Sequence, residues 1–302
     1  MSIPVCWWNK ERGSWACTHF LNTVFDSYHC VHSTWLDHLP TDGAIIVFHG
    51  SNLSLCGNGP KNAEWLNDAA SKMKWVIFVS IGDEAQDFDT TLLHHGNMKL
   101  WVQAPLPTTK ADRYLIQGFP ANTQRDQLYN RDRDFVFMGQ VTHARRIACV
   151  AAMKKIDRPN ILVETSGFGK GLQQRDYLSV MSSAKIAPCP AGPMTPDTFR
   201  VYEALECGAI PILDAVSMRP ETRGVWPLLL GDHPLPIIED WATLPDVMAP
   251  LLADWDRQSQ LVGMWWRARK AQMRNWLAQD LLALGVTNGR EEETSAATTS
   301  AT

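Results

Sequence analysis

The sequence has no long hydrophobic run, since no stretch approaches the roughly 18–20 apolar residues that cross a bilayer. Its first residues, MSIPVCWWNKERG, place Lys10, Glu11 and Arg12 where a secretory signal would keep an apolar core. The sequence also has no excess of positive charge, since its net charge is −4. It therefore has no overall positive field that would attract polyanions such as nucleic acids. We therefore expect a cytoplasmic protein, of a bacterial cell or a phage-infected host, without a membrane span.

Cysteine and metal signatures are sparse as well. The seven cysteines are odd in number and scattered, which predicts reduced thiols. His29, Cys30 and His32, with Cys17 and His19 upstream, match no zinc-binding spacing. These residue types occur more often as packing residues than as ligands, so we expect no metal site.

The composition is that of a folded globular protein, with 45% hydrophobic and 20% charged residues in 302. Short, β-branched apolar runs alternate with helical patterns, which predicts parallel sheets in doubly wound α/β domains. The predicted strands are 44–49, 75–80, 100–104, 135–139, 160–164, 184–188 and 209–213. The predicted helices between them are 62–74, 144–156, 172–183 and 197–207.

A polar, turn-rich stretch at 119–134 indicates a domain boundary. We expect an N-terminal domain over 1–125, a C-terminal domain over 126–286, and a disordered tail over 287–302. A long helix is predicted over 256–284. Its apolar face would contain Leu261, Trp265, Ala268, Ala271 and Trp276.

The strongest chemical signal lies between residues 183 and 213. This stretch predicts a strand, a loop that contains Pro190 and Gly192, a helix that ends at Gly208, and a second strand. The loop leads into the helix N-terminus, where free N–H groups and the helix dipole favour anions. Asp197 or Thr198 is expected to cap that helix.

Arg200 and Glu203 are three residues apart, so they lie on one face of the predicted helix near its start. An arginine there suits a diphosphate, and a carboxylate suits a bidentate bond to ribose hydroxyls. The alternative interpretation makes Glu203 a surface acid paired with Arg200.

These residues resemble the exostosin-like glycosyltransferases. In that family a strand and a proline–glycine loop precede a helix of the form S/T-x-R-x-x-E-A-hydrophobic, which x-x-G-x-I-P-hydrophobic follows. The matching residues here are Thr198, Arg200, Glu203, Ala204, Leu205, Gly208, Ile210, Pro211 and Ile212. The resemblance is most specific in this stretch. It is weaker but still recognisable over 133–213, and it does not extend into the N-terminal half.

The resemblance implies the GT-B architecture, an α/β fold in which two doubly wound Rossmann-type domains face a cleft. A long C-terminal helix often returns to the first domain in that architecture. The donor would be a nucleoside-diphosphate sugar, with Glu203 on the ribose and the loop of Pro190 and Gly192 facing the diphosphate. The family resemblance also implies inversion at the anomeric centre.

A second segment fits the same resemblance. Gly139 and Gln140 follow a predicted strand, and Arg145 and Arg146 begin the next helix. In exostosin-like proteins a basic residue of this pattern faces the donor phosphates, although the two arginines could equally form a solvated helix face. SGFGKG at 166–171 is neither a Walker A loop nor G-x-G-x-x-G, and is either a flexible turn or an accessory donor loop.

Candidate catalytic bases lie in the N-terminal half. Asp83 and Glu84 follow one predicted strand and His49 ends another, and functional groups of doubly wound sheets gather at those ends. Each could serve as the base that an inverting transfer requires, or only as a turn or capping residue. Tryptophans at 7, 8, 15 and 35 are expected mainly in the core, although such rings also stack on sugars.

We therefore expect a glycosyltransferase that needs no metal, because cationic side chains stabilise the leaving diphosphate and no D-x-D occurs in a suitable context. The expected acceptor is a glycan. One alternative is transfer to hydroxymethylated pyrimidines of bacteriophage DNA, which would need a basic cleft such as arginines of 125–146 could form. Another is a non-catalytic protein that binds sugar nucleotides or carbohydrate.

Overall fold

The computed structural model describes residues 2–8, 16–33, 40–51, 58–121, 123, 130–167 and 170–286. The predicted tail at 287–302, Trp15 and Trp35 lie outside these residues, as does most of the boundary segment between 122 and 129.

The N-terminal half forms a parallel sheet with the strand order β2-β1-β3-β4-β5-β6. The predictions at 44–49, 75–80 and 100–104 correspond to β3, β4 and β5, with bounds that differ by two residues or fewer. The strands are β1 (Ile3–Trp8), β2 (Cys30–Ser33), β3 (Ala44–His49), β4 (Val76–Ile81), β5 (Met98–Gln103) and β6 (Arg113–Leu115).

The C-terminal half forms a second parallel sheet, ordered β11-β10-β9-β7-β8. Four of its five strands were predicted, and β11 was missed because it has only two residues. The strands are β7 (Arg133–Gln140), β8 (Asn160–Thr165), β9 (Ala184–Cys189), β10 (Ile210–Asp214) and β11 (Ile237–Ile238).

Helices connect the strands of both sheets. The four helices predicted between strands are confirmed as α2 to α5, and each ends at or before its predicted last residue. The helices are α1 (Ala16–Phe25), α2 (Gly59–Ser71), α3 (Ala144–Met153), α4 (Gln174–Ser182), α5 (Phe199–Cys207), α6 (Trp226–Leu230), α7 (Leu244–Ala253), α8 (Trp255–Arg274) and α9 (Trp276–Ala283).

Both sheets are covered on both faces, which explains the continuous hydrophobicity of their strands. In β3, Ile45 and Val47 pack into one core while Ile46 and Phe48 pack into another on the opposite face. The first of these cores continues into the C-terminal half, where it includes Val136 of β7. The predicted class, two parallel α/β sheets with a long C-terminal helical segment, is therefore confirmed.

The predicted helix over 256–284 is two helices, α8 and α9, and its predicted apolar face is only partly right, because Trp276 is buried but Leu261 is not. Leu261 is 44% exposed, whereas Val262, Trp266 and Met273 are buried. The buried face also contains Lys270, which forms a salt bridge with Glu206. Because this face includes a half-buried, paired lysine, the pattern of apolar residues alone does not identify it.

The C-terminal helices return to the N-terminal sheet, as the resemblance implied. The Asp280 carboxylate of α9 accepts a 2.7 Å hydrogen bond from the Trp101 indole nitrogen and forms a 2.6 Å ion pair with Arg113. Tyr28, after α1, donates its hydroxyl to the carbonyl oxygen of Arg274. These contacts fix one half of the chain against the other.

The strands of the first sheet end at residue 115 and those of the second begin at 133, so no strand of either sheet crosses the proposed boundary near 125. None of the helices within the described ranges has the length and apolar character that crossing a membrane requires.

Candidate active site

The loop before α5 and the first turn of this helix form the centre of the site. Thr198 occupies the N-cap position but makes no side-chain capping bond. Asp197 does not cap either, because it is buried and accepts hydrogen bonds from the Gln117 backbone N–H and the Tyr202 hydroxyl. The predicted side-chain cap is therefore wrong, and Thr198 Oγ1 is buried without a hydrogen-bond partner. Gly208 ends the helix in the left-handed conformation, with φ of 72°.

A pocket of about 320 Å³ opens between this helix and the carboxyl ends of β7 and β8. Its walls combine apolar side chains with a few charged ones, as ligand sites commonly do. It is lined by Pro120, Met138, Gly139, Gln140, Arg146, Val163, Thr165, Gly167, Gly171, Leu172, Gln174, Tyr177, Thr198, Phe199, Arg200 and Glu203.

Arg200 reaches from α5 to the end of β7. Its Nη2 donates a 2.8 Å hydrogen bond to the Met138 carbonyl oxygen, and its guanidinium lies over the Phe137 ring, 4.7 Å from the centroid. A side chain at Gly139 would overlap this guanidinium and would force it to move. The Nε of Arg200 is buried and has no hydrogen-bond partner.

Arg146 is the second buried cation on the pocket wall. It donates from Nε to the Ala191 carbonyl oxygen at 3.0 Å and from Nη1 to that of Gln140 at 3.2 Å. Burial and the neighbouring charge of Arg200 lower the pKa of Arg146 to about 10. Neither Arg146 nor Arg200 forms a salt bridge with a carboxylate of the described residues, although the charges of Glu84 and Glu203 act on them at longer range.

Glu203 faces the same pocket one helical turn after Arg200. Its Oε2 accepts a 2.7 Å hydrogen bond from the Tyr177 hydroxyl, and it forms no salt bridge with Arg200. Burial raises the pKa of Glu203, while the Tyr177 hydrogen bond and the charge of Arg200 oppose this rise. Glu203 is therefore not the surface acid of the alternative interpretation.

Three of the predicted donor-binding residues do not line the pocket. Arg145 forms an ion pair with the fully buried Asp214 and donates to the Glu239 carbonyl oxygen, so its charge is already neutralised. Pro190 is buried below the loop, and the Gly192 N–H bonds to the Thr195 carbonyl oxygen at 2.9 Å. These residues shape the loop instead of facing a ligand.

The weak glycine motif at 166–171 proves to border the pocket, which favours the accessory-loop interpretation. Gly167 and Gly171 are lining residues, whereas Phe168 and Gly169 lie outside the described residues. Tyr177 was missed, because nothing in the α4 sequence distinguishes it from a core aromatic residue.

The three candidate bases occupy different environments. Asp83 is buried, and its carboxylate accepts hydrogen bonds from the backbone N–H groups of Asp87 and Phe88 at 2.9 and 3.0 Å. It organises the loop after β4 and has little capacity left for a substrate proton. His49 packs against Gly82 at the end of β3.

Glu84 does not line the pocket, but it lies near enough to Arg146 on the pocket wall for the two charges to interact. Burial raises its pKa, and the charge of Arg146 on the pocket wall opposes that rise. Its Oε1 accepts a 3.2 Å hydrogen bond from the Gln117 side chain. Glu84 is therefore a partly buried carboxylate near a cation of the pocket wall, an environment that general bases often have.

The candidate metal ligands do not converge. His32 accepts a hydrogen bond from the Trp7 indole, and His19 packs on Phe119. The Cys17 side chain is not described. Over the described ranges, no group of three His, Cys, Asp or Glu residues could hold a metal ion.

Comparison with known proteins identifies the family. The model of the RXYLT1 C-terminal domain matches residues 119–282, more than half of the chain. The chain belongs to the RXYLT1 C-terminal domain family. The match spans 133–213 and confirms the exostosin-like resemblance. It also covers all of the pocket-lining residues, whereas Glu84 and Gln117 precede it.

Solved structures similar to this family member share little sequence with it. HepE from Anabaena, in complex with UDP-glucose, is 8% identical at a TM-score of 0.47, over 93% of this chain and 100% of its own. A DNA-modifying β-glucosyltransferase is 12% identical at 0.48, over 94% and 100%. An α1,3-fucosyltransferase is 11% identical at 0.46, over 86% and 81%. No curated protein sequence is significantly similar to the chain.

Proposed function

We propose that the protein is a glycosyltransferase that binds a nucleoside-diphosphate sugar in this pocket. The observation that carries the proposal is the pair of buried guanidinium groups on the pocket wall, Arg146 and Arg200, neither of which forms a salt bridge with a described carboxylate. Buried cations of like charge destabilise the empty protein, so their presence in a pocket favours an anionic ligand. A diphosphate supplies two negative groups and accepts bidentate arginine hydrogen bonds.

The remaining walls suit the other parts of such a donor. Thr198 Oγ1 is buried without a hydrogen-bond partner and stands at the N-terminus of α5, where an anion is favoured. Glu203 is positioned for ribose hydroxyls. The apolar side chains of Val163, Leu172 and Phe199 offer a surface for the nucleoside base.

In the proposed reaction, Glu84 accepts the proton of the acceptor hydroxyl. The hydroxyl oxygen attacks the anomeric carbon from the side opposite the diphosphate, and a new C–O bond forms as the bond to the phosphate oxygen breaks. The leaving oxygen takes the electron pair, and its charge is stabilised by Arg146 and Arg200. The products are the inverted glycoside, the nucleoside diphosphate and protonated Glu84. Because two cations face the diphosphate, we expect transfer without a metal.

We favour a glycan hydroxyl over DNA as the acceptor. In the described part of 125–146, Arg131 donates to the carbonyl oxygens of Ala184 and Cys207, and Arg145 pairs with Asp214. Arg146 points into the pocket. Arg133 pairs with Asp132, and Arg125 lies outside the described residues. The described arginines of this segment therefore do not support the basic cleft that a DNA acceptor would need.

Thermal-shift measurements with UDP-, GDP-, ADP- and TDP-sugars test donor binding. A ligand at 100 times its dissociation constant should stabilise the protein by about 2.7 kcal/mol. Stabilisation by one nucleotide series, lost in Arg200→Gln, is the expected result. If none of the four series stabilises the protein, the donor assignment is wrong. Donor binding without any turnover would favour the non-catalytic alternative.

A further inference from the structure

Gln117 lies between the two parts of the proposed active site. It follows β6, is 2% exposed, and makes one hydrogen bond to each side. Its side-chain Nε2 donates to Glu84 Oε1 at 3.2 Å, and its backbone N–H donates to Asp197 Oδ2 at 2.9 Å. One residue therefore contacts both the candidate base and the residue that precedes the N-cap of α5.

We propose that Gln117 is a positioning residue, which holds the Glu84 carboxylate toward the acceptor hydroxyl and ties it to the donor-binding loop through Asp197. This inference rests on the proposed function, because it takes Glu84 as the base. Gln117 itself is not among the pocket-lining residues, so it acts through Glu84.

The Asp197 side of this connection is rigid. Asp197 is buried, and its second oxygen accepts a 2.5 Å hydrogen bond from the Tyr202 hydroxyl on α5. Tyr202 is itself fully buried in the core that both halves share. The Gln117 backbone is thus fixed to the helix that carries Arg200 and Glu203, and its side chain transmits that position to Glu84.

Three groups act on the Glu84 carboxyl besides its burial, and a fourth holds its backbone. The Gln117 amide and the Arg146 charge favour the ionised form. Asp197 is a like charge when ionised. Arg219, which follows β10, donates to the Glu84 carbonyl oxygen and restrains the backbone. Among the described residues, Gln117 is the one that bonds the carboxylate directly, so its loss should raise the pKa of Glu84.

Two substitutions of Gln117 give shifts of opposite sign while the backbone N–H to Asp197 remains. Gln117→Leu removes the side-chain donor, and the pKa of Glu84 should rise. Gln117→Lys supplies a charged donor of similar reach, and the pKa should fall below the wild-type value. Carbon-13 NMR titration of labelled glutamate carboxyls in the full chain measures both, with the resonance assigned by its disappearance in Glu84→Gln.

Gln103→Leu is the matched control. Gln103 is also 2% exposed and supports the same loop, since its Oε1 accepts from the Gly82 N–H and its Nε2 donates to the Ile116 carbonyl oxygen. It should leave the Glu84 titration unchanged. An equal shift in Gln103→Leu and Gln117→Leu, or no shift in either Gln117 variant, would overturn the proposal.

The same variants separate this inference from the donor assignment. In Gln117→Leu, donor turnover should fall about tenfold, which is the loss expected when a hydrogen bond to a charged group is removed. In the pH profile of turnover, the acidic limb should move to higher pH. Affinity for the nucleoside diphosphate should stay unchanged. If no nucleoside diphosphate binds, the proposed function fails while the carboxyl titration still decides the position of Gln117.

Discussion

The Tyr177 hydroxyl donates a 2.7 Å hydrogen bond to Oε2 of Glu203 across the wall of the pocket. The bond joins α4 to α5 and fixes the plane of the carboxylate. A fixed carboxylate is a better ribose ligand than a mobile one, because less side-chain entropy is lost on binding. In the proposed function, Tyr177 therefore orients Glu203 for the ribose of the donor.

Tyr177→Phe should weaken donor binding. The substitution keeps the ring and removes one hydrogen bond to a carboxylate, so we expect a loss of about 1–2 kcal/mol, measured by titration calorimetry with the bound nucleoside diphosphate. Without the Tyr177 hydrogen bond the pKa of Glu203 should rise further, so more of Glu203 is protonated as the pH falls. The loss of donor affinity should therefore grow at lower pH. Unchanged affinity at every pH would show that Glu203 does not need Tyr177.

Arg200→Met and Arg146→Met should weaken donor binding without a strong loss of stability. Each should lower the affinity for a nucleoside diphosphate by about 2–3 kcal/mol, because a charge-assisted hydrogen bond is lost. Neither should destabilise the empty protein strongly, since removing one of two buried, like-charged groups relieves repulsion. Calorimetry and urea unfolding measure the two effects.

Arg267 on α8 provides the control for these variants, because it is exposed and outside the pocket. Arg267→Met should change neither quantity. If the two pocket variants bind a nucleoside diphosphate as tightly as the wild type, the ligand is not held by these cations.

Arg145→Leu should destabilise the protein and leave donor binding intact, the opposite of what we expect for Arg146→Met. The Arg145 partner, Asp214, is fully buried and also accepts from the Ala191 N–H and the Trp241 indole. Loss of Arg145 leaves a buried carboxylate without its cation, at a cost of about 3–5 kcal/mol. Donor affinity in the folded protein should change little. If Arg145→Leu is as stable as the wild type but has lost its affinity for the nucleoside diphosphate, Arg145 belongs to the donor site.

Arg145 and Arg146 show how far sequence could predict this site. The motif around Arg200 and Glu203 predicts an anion-binding helix start, and both residues line the pocket. Two adjacent arginines at a helix start are equivalent in sequence. Their roles diverge only because one reaches Asp214 on β10 and the other faces the pocket, a difference that depends on strand order.

The N-terminal half was harder to predict for a related reason. Strands β3 to β5 have strong apolar runs, whereas β2 has four residues and β6 has three. Asp83 and Glu84 are adjacent acids after one strand, yet the first turns into its own loop and the second toward Arg146. Gln117 has no local signal, since its importance comes from contacts with residues 33 positions before it and 80 after it.

Asp197 should make stability depend on pH. Burial raises its pKa from 3.8 to about 7, so between these values the folded protein binds more protons than the unfolded chain. The stabilising contribution is complete below the unfolded value and is lost as pH rises through the folded value, by up to about 1.4 kcal/mol per pH unit. Urea unfolding from pH 4.5 to 7.5 measures it.

Asp197→Asn isolates this contribution, because the amide has no charge and can still accept from Gln117. The difference in unfolding free energy between wild type and Asp197→Asn should shift in favour of the variant as the pH rises. A difference that is constant with pH would mean that Asp197 stays ionised throughout.

The most direct test of the account compares donor turnover and donor binding in Glu84→Gln. The wild type is incubated with UDP-, GDP-, ADP- and TDP-sugars, and proton NMR of the anomeric position follows transfer to water or to an added glycan. Glu84→Gln should bind the nucleoside diphosphate with wild-type affinity and turn over the donor about 10²–10⁴ times more slowly, the usual effect of losing a general base. Wild-type turnover in Glu84→Gln would contradict the account.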